Sequence, residues 1–129
     1  MRLELYSIPT YFLYFFIFFA SFQVSAKEKE TNIQSVIHLL DYLSKDYPMA
    51  VKEGRILDKA EYAEMREFSV KIFKLAKSIN LPSESSLSIL SDLNDLKTLV
   101  QDKAPSKKIK ELAEQVKWAI IKATGYEVA

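Results

Sequence analysis

The sequence predicts an all-α protein, an up-and-down bundle of about four helices that follows an N-terminal signal segment. The chain of 129 residues contains only two glycines and four prolines, and this scarcity favours long helices over a fold rich in turns. After residue 26, apolar residues recur every three or four positions, which is the spacing of one face of a helix. The connections between these stretches are short, which favours antiparallel neighbours in a bundle.

The first 26 residues form a segment of a different kind. Arg2 precedes an apolar run, YFLYFFIFFASF, and the segment closes on Val24, Ser25 and Ala26. This pattern is typical of a secretory signal peptide, with cleavage expected after Ala26. An uncleaved membrane anchor is the alternative, because residues 8–24 are just long enough to cross a bilayer with little tilt. In both cases we expect residues 27–129 to form one exported helical domain.

The first predicted helix of this domain spans residues 31–46. It begins at a capping box, Thr31-x-x-Gln34. Pro48 cannot continue a helix, so the stretch PMAVKEG is predicted to form a turn. Gly54 closes that turn in the left-handed conformation.

Three more helices are predicted. The second begins at Asp58, which heads another capping box, and stops at residues 80–82. The third covers residues 83–102 and the fourth residues 106–124, with Gly125 as the final cap. The inward stripe of the third helix is predicted to consist of Leu87, Leu90, Leu93, Leu96 and Val100.

Composition argues against several classes of function. The net charge is +1, which does not suggest a nucleic-acid surface. There is no cysteine, so thiolate metal sites and covalent haem attachment are excluded. A haem would need the single histidine, His38, with Met49 or Met65 as axial ligands, but His38 lies beside the apolar stripe. We therefore expect no haem, and we expect that the protein is not an enzyme.

Carboxylates gather where the first helix ends and the second begins. Glu61 heads the apolar row of the second helix, and Glu64 lies one turn further on beside it. Asp46 continues a row of the first helix, and the intervening turn brings the two helix ends close together. These three carboxylates are the predicted metal ligands, because carboxylate oxygens suit hard cations such as ferric, manganous or calcium ions.

Other side chains surround this predicted site. They are expected to orient the ligands by hydrogen bonds or to serve as second-choice ligands, and they are Asp41, Tyr42, Tyr47, Tyr62 and Glu67. A satisfied polar network is the alternative, in which tyrosine hydroxyls and Lys52, Arg55 or Lys59 neutralise the carboxylates.

The stretch LLDYLSKDYPMAVKEGRILDKAEYAEMREF, residues 39–68, resembles the exported N-terminal domain of bacterial high-affinity iron permease proteins. The resemblance rests on the order Leu-Leu-Asp-Tyr, Asp-Tyr, Ala-Val-x-x-Gly and Glu-Tyr-x-Glu-Met-x-Glu-Phe. Many members of that family carry this segment ahead of a c-type cytochrome module or ahead of the membrane permease. Residues 69–129 match only in their helical character.

The resemblance implies a periplasmic accessory domain of an iron-uptake system. It further implies that the domain binds an iron ion and that its partner is a membrane iron permease or a c-type cytochrome. The chain contains neither Cys-x-x-Cys-His nor Arg-Glu-Gly-x-Glu, so neither a cytochrome nor iron conduction is implied for it. One alternative is a metal-free interaction module that uses a helix face with Trp118 and Ile121. Another is a truncated remnant of a longer iron permease.

Overall fold

The computed structural model describes the backbone of residues 10–128 and the side chains of residues 27–128. Over these residues the chain forms four long helices and one short hairpin. The helices are α1 (Thr10–Ala50), α2 (Lys59–Ser78), α3 (Ser83–Gln101) and α4 (Ser106–Thr124), and the hairpin joins β1 (Val51–Lys52) to β2 (Arg55–Ile56). The prediction of an all-α bundle of about four helices is confirmed.

The four helices pack as a square. Each helix contacts the one before or after it in the chain, and α4 closes the square against α1. Short connections make these neighbours antiparallel, as in an up-and-down bundle. The hairpin and the α3–α4 loop therefore lie at one end of the bundle, which we call the hairpin end. The α2–α3 loop and the end of α4 lie at the other.

The core contains the apolar stripes that the sequence predicts for α1, α2 and α4. On α2 and its C-cap Ile79, the buried positions follow a 3-4 alternation: Tyr62, Met65, Ser69, Ile72, Ala76 and Ile79. On α1 the buried positions include Ile33, Val36, Ile37, Leu40, Leu43 and Tyr47. Since each stripe faces the axis of the square, the polar residues of all four helices are left on the outer faces and along the seams between helices.

The prediction that the first helix begins at Thr31 is wrong. Helix α1 begins at Thr10 and passes through Thr31 and Gln34 without interruption. Neither glycine nor proline occurs between Thr10 and Tyr47, and Lys and Glu in between are good helix formers. A capping-box pattern marks the start of a helix only where the residues before it are not helical, and here they are. The predicted signal segment, residues 1–26, lies outside the described side chains and stays a prediction.

Over the residues whose side chains are described, we find no helical segment with both the length and the apolar character that a membrane span needs.

The prediction that Pro48 cannot lie in the first helix is also wrong, because α1 ends two residues later at Ala50. Proline in a helix loses its bond to the carbonyl of the residue four positions earlier, here Ser44. Since only Met49 and Ala50 follow Pro48 in α1, the disturbance falls on the last turn and the preceding turns keep their hydrogen bonds.

A tight hairpin follows α1 where the sequence predicts a simple turn. Val51 pairs with Ile56 and Lys52 with Arg55. The two residues between the strands, Glu53 and Gly54, both have positive φ, 52° and 75°. Gly54 thus adopts the predicted left-handed conformation, as Gly125 does after α4 with φ of 70°.

Helix α3 is rotated relative to its predicted stripe. Leu93, Leu96 and Val100 are buried as predicted, but Ile89 takes the place of Leu87, which is 81% exposed. Residues two positions apart point about 200° apart around a helix. Burying Ile89 therefore turns Leu87 to solvent.

Candidate functional site

The start of α2 is fixed by a side-chain cap. Asp58 accepts hydrogen bonds from the backbone N–H groups of Ala60 and Glu61, at 2.9 and 3.0 Å. This confirms Asp58 as the predicted N-cap and satisfies two donors that a helix start leaves free. Glu61 therefore lies in the first turn of α2, near the positive end of the helix dipole, where a carboxylate is favoured.

The register between α1 and α2 follows from two side-chain contacts. The amide of Asn32 donates a hydrogen bond to the hydroxyl of Ser78 at 3.0 Å, and the rings of Tyr42 and Phe68 lie 6.4 Å apart. From Asn32 to Tyr42 is ten residues forward along α1, and from Ser78 to Phe68 is ten residues back along α2. The two helices therefore run antiparallel in a fixed register.

One further helical turn in this register places Asp46 opposite Glu64. Glu61 lies one turn beyond Glu64, towards the hairpin end. We call Asp46, Glu61 and Glu64 the acidic seam. The structure thus sets the three predicted ligand residues along one seam between α1 and α2.

The acidic seam has no cationic partner among the described side chains. Asp46 and Glu61 are half-buried and Glu64 is exposed. The ion pairs found between residues 27 and 128 are Lys107–Glu111 and Lys117–Asp41, so neutralisation by Lys52, Arg55 or Lys59 is not seen. Unpaired carboxylates of this kind are open to a cation from solution.

The three carboxylates do not form a closed metal site. Over the described residues, no three Asp, Glu, His or Cys side chains come together in a group that could hold a metal ion. The seam is an open row of carboxylates rather than a preformed coordination shell, and its role as a metal site stays a prediction.

The second-choice residues separate into different surfaces. Tyr42 is half-exposed and lies on the seam against Phe68. Asp41 projects to the other side of α1 and pairs with Lys117 of α4 at 2.9 Å. Glu67 lies in a cavity on the outer face of α2, beside Arg66.

Tyr47 and Tyr62 point into the bundle rather than towards the carboxylates. The Tyr47 hydroxyl donates to the carbonyl of Ala104 at 2.6 Å. The Tyr62 hydroxyl lies 2.9 Å from the carbonyl of Val100 and 3.1 Å from that of Gln101. Tyr47 therefore attaches α1 to the α3–α4 loop, and Tyr62 attaches α2 to the last turn of α3. The sequence did not indicate either role.

Burial changes the acidity of one of these tyrosines. Tyr47 is fully buried, and removal from water, with the neighbouring Tyr62 as a smaller cause, raises the pKa of Tyr47 to about 12. The Tyr47 phenol therefore stays protonated at neutral pH and acts as a hydrogen-bond donor, not as a phenolate ligand.

A second polar surface, absent from the sequence-based prediction, lies on the outer face of α2. Arg66, Lys71 and Lys74 line a cavity there with a volume of about 590 Å³. The available sequence signal was the recurrence of cations at helical spacing on the face opposite the apolar stripe.

Comparison with known protein families identifies the family of this chain. The family described as the iron permease-associated 4-helix bundle domain matches residues 23–127. No curated protein and no solved structure matches the chain. The family match covers most of the 129 residues, and its description agrees with the square of antiparallel helices seen here. This chain belongs to the family of iron permease-associated four-helix bundle domains.

Proposed function

We propose that the chain is an accessory domain of an iron-uptake system that docks on a membrane iron permease and hands iron to it. The observation that carries the proposal is the acidic seam, a row of carboxylates without cationic partners, on a chain of the iron permease-associated family. The chain itself does not conduct iron. The leader-like residues 1–26 support a periplasmic location.

The chemistry of the seam suits transient binding. Carboxylate oxygens are preferred ligands of hard cations, ferric iron included. The register of α1 against α2 sets Asp46 level with Glu64, and Glu61 extends the row. Water, the chelator that brings the iron, or a partner protein supplies the remaining ligands. An incomplete shell releases its ion more readily than a closed one, which is what a donor to a permease requires.

Calorimetric titration tests iron binding at the seam. The full chain, in a non-ionic detergent, is titrated with ferric citrate and with ferrous iron, and iron-free citrate serves as the blank. We expect saturable binding that an Asp46→Asn, Glu64→Gln double variant loses. A Glu111→Gln, Glu114→Gln variant, which removes two exposed carboxylates from α4, is the matched control and should bind as the parent chain does.

Two results would count against iron capture. One is the absence of a binding heat with either iron species on a chain that circular dichroism shows to be helical. The other is equal weakening in the seam variant and in the α4 control, which would mean that the carboxylates act only through overall charge.

A metal-free interaction module is the second candidate, and Trp118 favours it. This side chain is 59% exposed on the outer face of α4, and the Lys117 ammonium lies 5.4 Å from its ring centre. Large exposed apolar groups often mark contact surfaces. Ile121, by contrast, is half-buried and packs against the core, so the predicted pair reduces to Trp118.

Co-purification distinguishes this candidate from iron handover. If docking through α4 is the whole function, Trp118→Ala abolishes association with the membrane permease or a c-type cytochrome of the same cell. The seam variant would then leave both association and iron uptake unchanged. Loss of uptake in the seam variant, with association retained, would decide for handover.

A further inference from the structure

We propose that the outer face of α2 binds a multivalent oxyanion, at a site distinct from the acidic seam. The cavity there lies against the end of α3, and its lining includes Ala63, Arg66, Glu67, Val70, Lys71 and Lys74. We call it the basic cavity. It requires no iron, so the inference goes beyond the proposed function.

The shape of the basic cavity follows from residue size along α2. Ala63 and Val70 are seven residues apart, so they lie on the same face of the helix with short side chains. The long side chains of Arg66 and Lys71 flank them on either side, and Lys74 continues the row. The result is a shallow depression in which long charged side chains surround two short apolar ones.

The charge of the rim is unbalanced. Arg66, Lys71 and Lys74 supply three cations, and Glu67 is the only carboxylate in the lining. Among the described side chains, none of the three cations takes part in an ion pair. They are exposed and are therefore free to turn towards a ligand.

Two more lysines lie on the adjoining turn of α2 and on α3. The ring of Phe73 lies between the ammonium groups of Lys77 and Lys97, at 4.7 and 4.6 Å from its centre. These cation–π contacts hold the two lysines where α2 packs against α3. Lys77 lies one turn beyond Lys74, and Lys97 one turn before Gln101 of the cavity lining, so both add positive charge next to the basic cavity.

These features favour a ligand that carries several negatively charged oxygens. A phosphate or a polycarboxylate can accept hydrogen bonds from Arg66 and from two ammonium groups at once, which a halide cannot. The same phosphate chemistry is present in the headgroups of anionic lipids. A free anion and a lipid headgroup are therefore the two possible sources of one kind of ligand.

Nuclear magnetic resonance tests the basic cavity on the full chain in a zwitterionic detergent. Inorganic phosphate and, separately, citrate are added at constant ionic strength, and amide shifts are followed. We expect saturable shifts at Ala63, Val70 and Gln101. A Lys71→Gln, Lys74→Gln variant should bind at least tenfold more weakly, and the matched Lys107→Gln, Lys108→Gln variant on α4 should bind as the parent chain does.

A flotation assay examines the lipid source. Vesicles of phosphatidylcholine alone are compared with vesicles that also contain phosphatidylglycerol. If the parent chain binds the anionic vesicles but not free anions, and the Lys71→Gln, Lys74→Gln variant loses that binding, the oxyanion site is supported with a lipid headgroup as its ligand. The proposal is overturned if neither anions nor vesicles bind, or if the α4 control variant loses as much binding as the cavity variant.

Discussion

At the scale of single residues, two tyrosine hydroxyls connect distant parts of the chain. Tyr47 reaches the carbonyl of Ala104, 57 residues away, and Tyr62 reaches that of Val100, 38 residues away. The Tyr62 hydroxyl adds a bond to carbonyls in the last turn of α3, and the Tyr47 hydroxyl donates to a carbonyl of the loop that follows. The aromatic bodies meanwhile fill the core, so each tyrosine stabilises the hairpin end both by packing and by hydrogen bonding.

Removing one hydroxyl tests this role. Tyr47→Phe keeps the ring but leaves the Ala104 carbonyl without its donor, and we expect a loss of about 1–3 kcal/mol in the free energy of unfolding. Tyr42→Phe is the control, since that side chain is half-exposed and should change stability by less than about 0.5 kcal/mol. Urea denaturation followed by circular dichroism measures both. Equal effects in the two variants would contradict the assignment.

The acidity of Tyr47 makes stability depend on pH in alkaline solution. Its pKa rises from 10.0 to about 12 on folding, so the folded state holds the proton more tightly than the unfolded state. This contribution is fully present below about pH 10 and is lost as pH rises to about 12, and a change of two pKa units corresponds to about 3 kcal/mol. We expect the free energy of unfolding to fall more steeply over this window in the parent chain than in Tyr47→Phe. Parallel curves would refute the prediction.

At the scale of elements, the hairpin contains a residue poorly suited to its backbone. Glu53 and Gly54 both have positive φ, which is the geometry of a two-residue hairpin turn that prefers Asn-Gly. We expect Glu53→Asn to raise the free energy of unfolding by about 0.5–1 kcal/mol, because asparagine tolerates the left-handed region better than glutamate. Thermal denaturation measures the change. Gly54→Ala, with φ of 75° at that position, should have the opposite sign.

The orientation of α3 can be tested with two leucines of the same helix. Leu93 is 1% exposed and Leu87 is 81% exposed. Leu93→Ala should lower the free energy of unfolding by about 2–5 kcal/mol, since it leaves a cavity in the core. Leu87→Ala should change it by less than about 0.5 kcal/mol. Similar losses of stability in both variants would mean that Leu87 is buried, as the sequence predicts, and would contradict the orientation of α3 described here.

The elements whose limits are set locally could be predicted from the sequence. The Asp58 cap and the left-handed glycines at positions 54 and 125 depend on neighbouring residues, and the structure confirms them. The stripe of α3 could not be fixed in this way, because leucines at positions 87 and 90 and isoleucine at 89 offer two apolar faces. Packing against α2 and α4 selects one of them.

At the scale of the whole molecule, the acidic seam exists only through the register of α1 against α2. Because the chain has no cysteine, cysteine pairs can report this register directly. We expect Asp46→Cys with Glu64→Cys to be joined efficiently by a short thiol-reactive cross-linker. Asp46→Cys with Glu67→Cys should not be joined, since Glu67 lies on the outer face of α2. Mass spectrometry of the products distinguishes the two outcomes.

The seam was partly accessible from the sequence, and the remainder of the site was not. Helical spacing put Glu61 beside Glu64, and a short turn implied proximity to Asp46. The partners of Tyr47 and Tyr62 are backbone carbonyls in the α3–α4 loop and in the last turn of α3. A carbonyl is present at every residue, so no sequence pattern marks these two. The partner of Asp41 was not predictable either, because Lys117 is 76 residues away and one of many lysines in the chain.

Because α4 packs against α1 and closes the square, the bundle responds in a particular way to a force that pulls the start of this part of α1 away from the end of α4. Residues 124–127 lie beside residues 29, 30 and 33, so α1 and α4 run antiparallel with the end of α4 next to α1. Tension applied at these neighbouring points peels one helix from the other a turn at a time, instead of sliding them past each other. The Lys117–Asp41 bridge lies partway along that line. Among the described side chains, it is the first ion pair that such a peeling motion would break.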